Sequence, residues 1–275
     1  MAVAGANGSI IIRPLWANKR QLGSEMIFLN LNPDKFIMPK QPIRKNTGLP
    51  PGSLIYTGIQ KSDVIIKEFV RYNAEVIEEI SLDSFEKIEP GYNYWLDVRG
   101  IYNPQEIEAI GKKFNIDPLL LEDVLDVGQR PKFEQGESSL FVILKNLIHG
   151  ENKTEFLSEH ISFHLTESLL ITFQEYPDDS FQSVKVRMQL PTSRIRNRKP
   201  DYLMYAMIDF ITDHYFSVLD ICSDSIHYLE AEINMRAEQE LKKTIYHIRQ
   251  DIAEFHRIIL PTREAISSLQ RSDNG

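Results

Sequence analysis

From Asp201 to about Met235 the chain contains neither Pro nor Gly, and its apolar residues recur with helical period throughout. At 1.5 Å of rise per residue this predicts a rod of roughly 50 Å. Residues Ala237 to Leu260 predict a second helix, which Pro261 kinks or interrupts. Leu241, Ile245, Ile248, Ile252 and Phe255 recur at spacings of three or four and supply its apolar stripe. Two such helices in succession pack antiparallel as a long hairpin, which assigns residues 201–275 to helix.

The preceding stretch, 48–200, is punctuated differently. Strands are expected at Ser53–Thr57, Val64–Tyr72, Tyr92–Val98, Ser139–Ile148, His160–Leu165 and Leu169–Gln174. The last two are joined by a hairpin-length Thr166-Glu167-Ser168 loop. Ala74 to Ile88 reads as one or two helical turns, Pro104–Phe114 as a helix opened by Asn103, and Phe181–Leu190 as a helix stopped by Pro191. Strands interleaved with helices but ending in a hairpin predict an α/β (α+β) fold. Its sheet is mixed and partly antiparallel, sandwiched between helices and followed by the long hairpin. Residues 1–47 differ in composition, with a Gly/Ala-rich start and a Pro/Lys/Asn-rich end. Ile10–Ile12 and Met26–Leu31 are candidates for short strands, but the stretch reads as a loosely held extension.

Composition excludes several classes. A net charge of -8 argues against general nucleic-acid binding. The single cysteine, Cys222, forbids an intrachain disulfide and suits a reducing compartment. Met1 to Ile12 lacks the layout of a signal peptide, and no apolar run approaches the ~20 residues a membrane helix requires.

The chemistry concentrates between Asn115 and Glu134. Asp117 is placed to cap a helix, Pro118 suits its first position, and Leu119, Leu120 and Leu121 are expected to turn inward. Two adjacent acids, Glu122 and Asp123, follow. Adjacent carboxylates beside an apolar patch suit a hard divalent cation when other carboxylates come near. A second acidic feature lies on the long helix. Asp213, Asp220, Asp224 and His227 stand 4, 11, 15 and 18 residues beyond Asp209. All five fall within roughly 60° of arc. For Asp220, Asp224 and His227 a solvated face is the simpler reading.

These segments, taken together and in order, resemble the CorA family of magnesium and cobalt transporters. Asp117-Pro118-Leu119, Leu121-Glu122-Asp123-Val124-Leu125 and Gln129-Arg130-Pro131-Lys132 match that family's central motif. Gly48-Leu49-Pro50-Pro51-Gly52, Trp95-Leu96-Asp97-Val98, the Glu159–Glu175 hairpin, Asp201-Tyr202-Leu203 and Pro261-x-Arg263-Glu264 extend the likeness from about Gly48 to Leu269. The family's two membrane helices, with their Tyr-Gly-Met-Asn loop, have no counterpart here. The chain is therefore expected to be the cytoplasmic piece of a protein of the inner cell membrane.

The resemblance implies a function without catalysis. It implies a regulatory domain that senses divalent cations and gates a channel, assembled as a homopentamer and anchored through the missing helices. Regulatory Mg2+, for which Co2+ or another divalent ion can substitute, would sit between neighbouring copies. Asp123 would be the main ligand of one site. Glu122 and Asp209 would serve a second, mostly through water, with the Leu49 carbonyl contributing. A zinc-transporting relative would share the same domain. A soluble carboxylate-metal phosphohydrolase is the alternative from another class, but the sequence offers neither a phosphate cradle nor a general base beside these acids. His160 and His164 alternate on one strand face and raise the idea of zinc, but no cysteine or third histidine lies close in sequence.

Overall fold

The computed structural model describes residues 48, 50–59, 64–149, 156–232 and 238–272. The expected extension at 1–47, the Leu49 carbonyl and the junction of the two long helices lie outside them. Among the described residues seven strands form one sheet: β1 (Ile66–Tyr72), β2 (Ile77–Glu79), β3 (Asn93–Arg99), β4 (Lys132–Gln135), β5 (Leu140–His149), β6 (Phe156–Leu165) and β7 (Leu169–Gln174). The helices are α1 (Pro104–Phe114), α2 (Pro118–Leu125), α3 (Gln182–Gln189), α4 (Pro200–Glu232) and α5 (Glu238–Ser272).

The strand order is β2-β1-β3-β7-β6-β5-β4. Among the described residues only β3 and β7 run parallel, with Tyr94 opposite Leu169 and Arg99 opposite Gln174. A parallel pair requires a crossover, and here the crossover carries α1, α2 and the β4–β5–β6 meander. Both faces of the sheet are covered. On one, Phe69, Leu96, Val98, Ile143 and Ile171 pack against Ile107 of α1 and Leu121 and Val124 of α2. On the other, Trp95, Leu144, Phe163 and Leu170 pack against Val184 of α3, Met207 of α4 and Phe255 of α5. Apolar side chains on both faces explain why the central strands read as nearly continuous hydrophobic runs.

The helical hairpin forms antiparallel as expected. Tyr215 stacks edge-on against Phe255 and its hydroxyl lies 3.4 Å from Thr262 Oγ1, while Cys222, farther along α4, feels the charge of Asp251. The buried stripe of α5 is not the expected one, however. Thr244, Ile248, Asp251, Phe255, Ile258, Thr262 and Ala265 are buried at alternating spacings of four and three, whereas Ile245 and Ile252 are exposed. A seven-residue period admits polar residues on the seam and turns neighbouring isoleucines outward. Pro261 lies inside α5, which continues past it to Ser272.

Three local expectations are overturned. Ser53–Thr57 is not a strand: the Thr57 amide donates to Leu125 O and its hydroxyl to Asp126 Oδ1, so the segment is spent on the end of α2. Ala74–Ile88 contains β2 and no helix. There Asn73 Oδ1 accepts from the amides of Glu75 and Val76 at 2.9 and 2.8 Å, a side-chain turn that competes with helix initiation and returns the chain as an edge strand. Of the three leucines, only Leu121 is buried, and Leu119 is 51% exposed, because eight residues of helix present one face to the sheet.

Candidate metal-binding surface

Helix α2 begins where its sequence says it should. Asp117 Oδ1 accepts from the Leu119 amide at 2.8 Å and Pro118 occupies the first turn. Its position over the sheet is set by α1, where Gly111 leaves room for Leu121. A Cβ at 111 would come within 2.1 Å of Leu121 Cδ1.

The C-terminal half of α2 rests on polar groups from the buried sheet. Lys145 Nζ donates to Val127 O at 2.6 Å and lies 3.0 Å from His160 Nδ1. His160 Nε2 lies 3.1 Å from the main-chain carbonyl of Asp123. Burial, reinforced by the nearby Lys145 charge, holds His160 well below the usual imidazole range. The ring is therefore neutral, and the partners assign Nε2 as the donor to Asp123 O and Nδ1 as the acceptor from Lys145. Burial also lowers Lys145 to about 8. An imidazole N–H thus meets a carbonyl in the last turn of α2, and a cationic ammonium lies just beyond its C-terminus, where positive charge is favourable.

The two acids on α2 are half-buried and each has an intrachain partner. Glu122 Oε2 accepts from the Gly52 amide at 2.6 Å, which fastens the Pro50–Ser53 turn to the helix. Asp123 accepts from Gln129 Nε2 and pairs with Lys132 Nζ at 2.5 Å. Their donors are hard carboxylate oxygens with no thiolate in reach, a set that fits Mg2+ better than a structural zinc. Asp209 lies elsewhere. It is exposed on α4, on the opposite layer of the sheet from α2. Asp213, Asp220, Asp224 and His227 are exposed along the same helix, which agrees with a solvated face. Within one chain Glu122 and Asp123 are neighbours on α2 with separate intrachain partners, and Asp209 stands apart.

His160 and His164 do share a strand face, but both nitrogens of His160 are engaged and zinc gains no further ligand there among the described residues.

A partly buried ion network on the α3 face has no counterpart among the sequence expectations. Glu68, Asp97 and Asp179 converge closely enough to hold a cation. The cation they hold is Lys185, whose Nζ lies 2.5 Å from Glu68, 2.8 Å from Asp97 and 2.8 Å from Asp179. Arg99 also pairs with Glu68. Asp97 is 1% exposed and accepts from Thr172 and Gln174 as well. Burial raises its carboxyl, and Lys185 with these two donors opposes the rise. The signal was visible as Asp97 and Arg99 alternating in an otherwise apolar strand.

Known proteins resemble the chain in sequence and in fold. The family model described as CorA-like Mg2+ transporter protein matches residues 91–275. The cobalt/magnesium transport protein CorA of Thermotoga maritima is 35% identical over 238 residues, covering 85% of this chain and 68% of that protein. The complete structure of the CorA magnesium transporter from Methanocaldococcus jannaschii superposes with a TM-score of 0.59 at 20% identity, over 75% of this chain and 63% of that one. The ZntB cytoplasmic domain from Vibrio parahaemolyticus gives 0.58 at 14% identity, over 75% and 80%. The chain thus spans about two thirds of the length of these CorA proteins, and among its described residues no helix is long and apolar enough to cross a membrane. With the family model covering most of its length and a transporter relative at 35% identity, this chain belongs to the CorA-like Mg2+ transporter family.

Proposed function

We propose that this chain is the cytoplasmic, cation-sensing part of a divalent-metal channel. In this reading Mg2+ is held between neighbouring copies and stabilises the closed state. The observation that carries the reading is the placement of the acids. Glu122 and Asp123 lie on one layer of the sheet and Asp209 on the other, so a shared ion requires one copy to offer α2 and the next to offer α4. Asp123 is the principal ligand of one site, and Glu122 with Asp209 binds a second through retained water. Carboxylates brought together without an ion repel, and the interface between copies loosens. A bound Mg2+ supplies compensating charge while keeping part of its hydration shell, so its occupancy favours the packed assembly. In a homopentamer this repeats around the ring and biases a gate. Co2+ fits the same oxygen donors. The fold is shared with the ZntB domain, so the ion carried by the whole protein is assigned from the 35% identical cobalt/magnesium relative.

The test is thermal unfolding of the chain with and without millimolar Mg2+, alongside Asp123→Ala and Asp209→Ala. A rise in midpoint that grows with protein concentration and is reduced in each variant is expected. A rise retained by both variants would sink the assignment.

A further inference from the structure

Both carboxylate oxygens of Asp123 are engaged by side chains of its own chain. Oδ1 accepts from Gln129 Nε2, and Lys132 Nζ lies 2.5 Å from Oδ2. The same ammonium is 2.5 Å from Glu134 Oε1, two residues along β4 on the same strand face. Lys132 and Asp123 are only 26% and 17% exposed, so water screens this pair incompletely. Lys132 therefore stands between two carboxylates, one belonging to the proposed ion site and one outside it.

We propose that Lys132 is a tethered counter-cation for Asp123, which a divalent ion must displace and which Glu134 then retains. The proposal rests on Asp123 being an ion ligand. A direct ligand cannot keep an ammonium at 2.5 Å from the oxygen that the ion takes, because the two cations would repel across a few ångströms. Folding sets the geometry: Lys132 lies on β4 and Asp123 on α2, so the ammonium is always at hand, as an intramolecular competitor. Displacing it with a second monovalent ion gains no charge at the carboxylate, whereas a divalent ion does. Lys132 thus acts as a specificity-determining residue, favouring divalent over monovalent cations. Glu134 lowers the barrier to exchange by keeping the released ammonium paired.

The test is calorimetric titration of the whole chain with MgCl2 at constant ionic strength, with and without excess KCl. The parent is compared with Asp123→Asn, Lys132→Met, Lys132→Gln, Lys132→Arg and Glu134→Gln, each first shown to be folded by urea unfolding. Lys132→Met and Lys132→Gln are expected to tighten Mg2+ binding by about tenfold, the scale of removing one positive charge about 5 Å from a divalent ion in a water-like medium. They should also let KCl compete. Lys132→Arg keeps the parent's affinity, and Glu134→Gln weakens binding a few-fold as Lys132 settles on Asp123. A binding component lost in Asp123→Asn but unchanged or weaker in both neutral Lys132 variants overturns the counter-cation and leaves the site standing. Binding undiminished in stoichiometry and affinity in Asp123→Asn removes the ligand assignment itself, and no binding even by the parent overturns both.

Discussion

Lys145 Nζ lies 3.0 Å from His160 Nδ1 across the β5–β6 ladder, where the two residues are direct register partners. Two potentially cationic groups sit side by side beneath α2 because only one is charged. The imidazole stays neutral and serves as a relay, accepting from the ammonium and donating to Asp123 O. The acids proposed to bind an ion thus stand on a helix whose last turns are held from within the sheet.

The buried Lys145 makes a signed prediction. Burial lowers it to about 8 from the ordinary lysine value of 10.5, so between these limits the unfolded chain binds more protons than the native one. This group's contribution to stability therefore rises with pH from about 8 toward 10. Lys145→Met abolishes that part of the slope, while leaving Val127 O and His160 Nδ1 without their donor. Urea unfolding at pH 8, 9 and 10 reads it: the parent should gain relative to the variant by up to about 3 kcal/mol across the full shift.

Glu159 gives the opposite sign. It is fully buried, and its Oε2 accepts from Asn146 and Ser180. Burial, the dominant cause, raises it to about 7. A raised carboxyl contributes stability that is present below the unfolded value near 4.5 and lost as pH rises through 7. Glu159→Gln keeps the shape and stays neutral. It should match the parent near pH 4 and exceed it at pH 8 by about 3 kcal/mol at most. Equal stability at pH 8 would contradict a carboxyl that ionises at a cost.

Removing one member of the Asp97–Lys185 pair should cost more than removing both. Lys185→Met leaves Asp97, 1% exposed, with two neutral donors and the more distant Arg99. A loss of about 3–5 kcal/mol is expected. The double variant Asp97→Leu with Lys185→Met should recover part of it. A double-mutant cycle in denaturant measures the coupling, and additive losses would show that the network acts as separate pairs.

Gly111→Ala should destabilise, although alanine favours helix. The added Cβ would lie 2.1 Å from Cδ1 and 3.1 Å from Cγ of Leu121, so α2 must shift or Leu121 must leave its rotamer. Overpacking of this kind costs about 1–3 kcal/mol. Adding Leu121→Val should restore some of the thermal midpoint, since it removes Cδ1, the atom of the 2.1 Å contact.

Several elements were legible because their causes are local. Asn103 and Asp117 cap α1 and α2 through their own side chains, each followed by a proline suited to the first turn. The β6–β7 hairpin follows from two apolar runs separated by a short polar loop, and α4 from a long stretch without helix breakers. Strand β4 was hidden because Phe133-Glu134-Gln135 shows no apolar alternation, and it forms only because β5 is there to pair with it. Likewise, the α5 stripe buries Thr244, Asp251 and Thr262 in place of isoleucines because its neighbours select the face.

The sequence by itself determined the family, the helix caps, the alternation of strands and helices before Pro200, and the adjacency of Glu122 and Asp123. Those depend on residues within a few positions of one another, or on motifs in fixed order. Only the tertiary structure decided that Lys185 closes the triad of Glu68, Asp97 and Asp179, that His160 and Lys145 support α2, and that Lys132 holds Asp123. Those partners come from different elements, in one case more than a hundred residues apart. Their energies arise from burial and low dielectric, which exist only after the sheet and its two helical layers have closed.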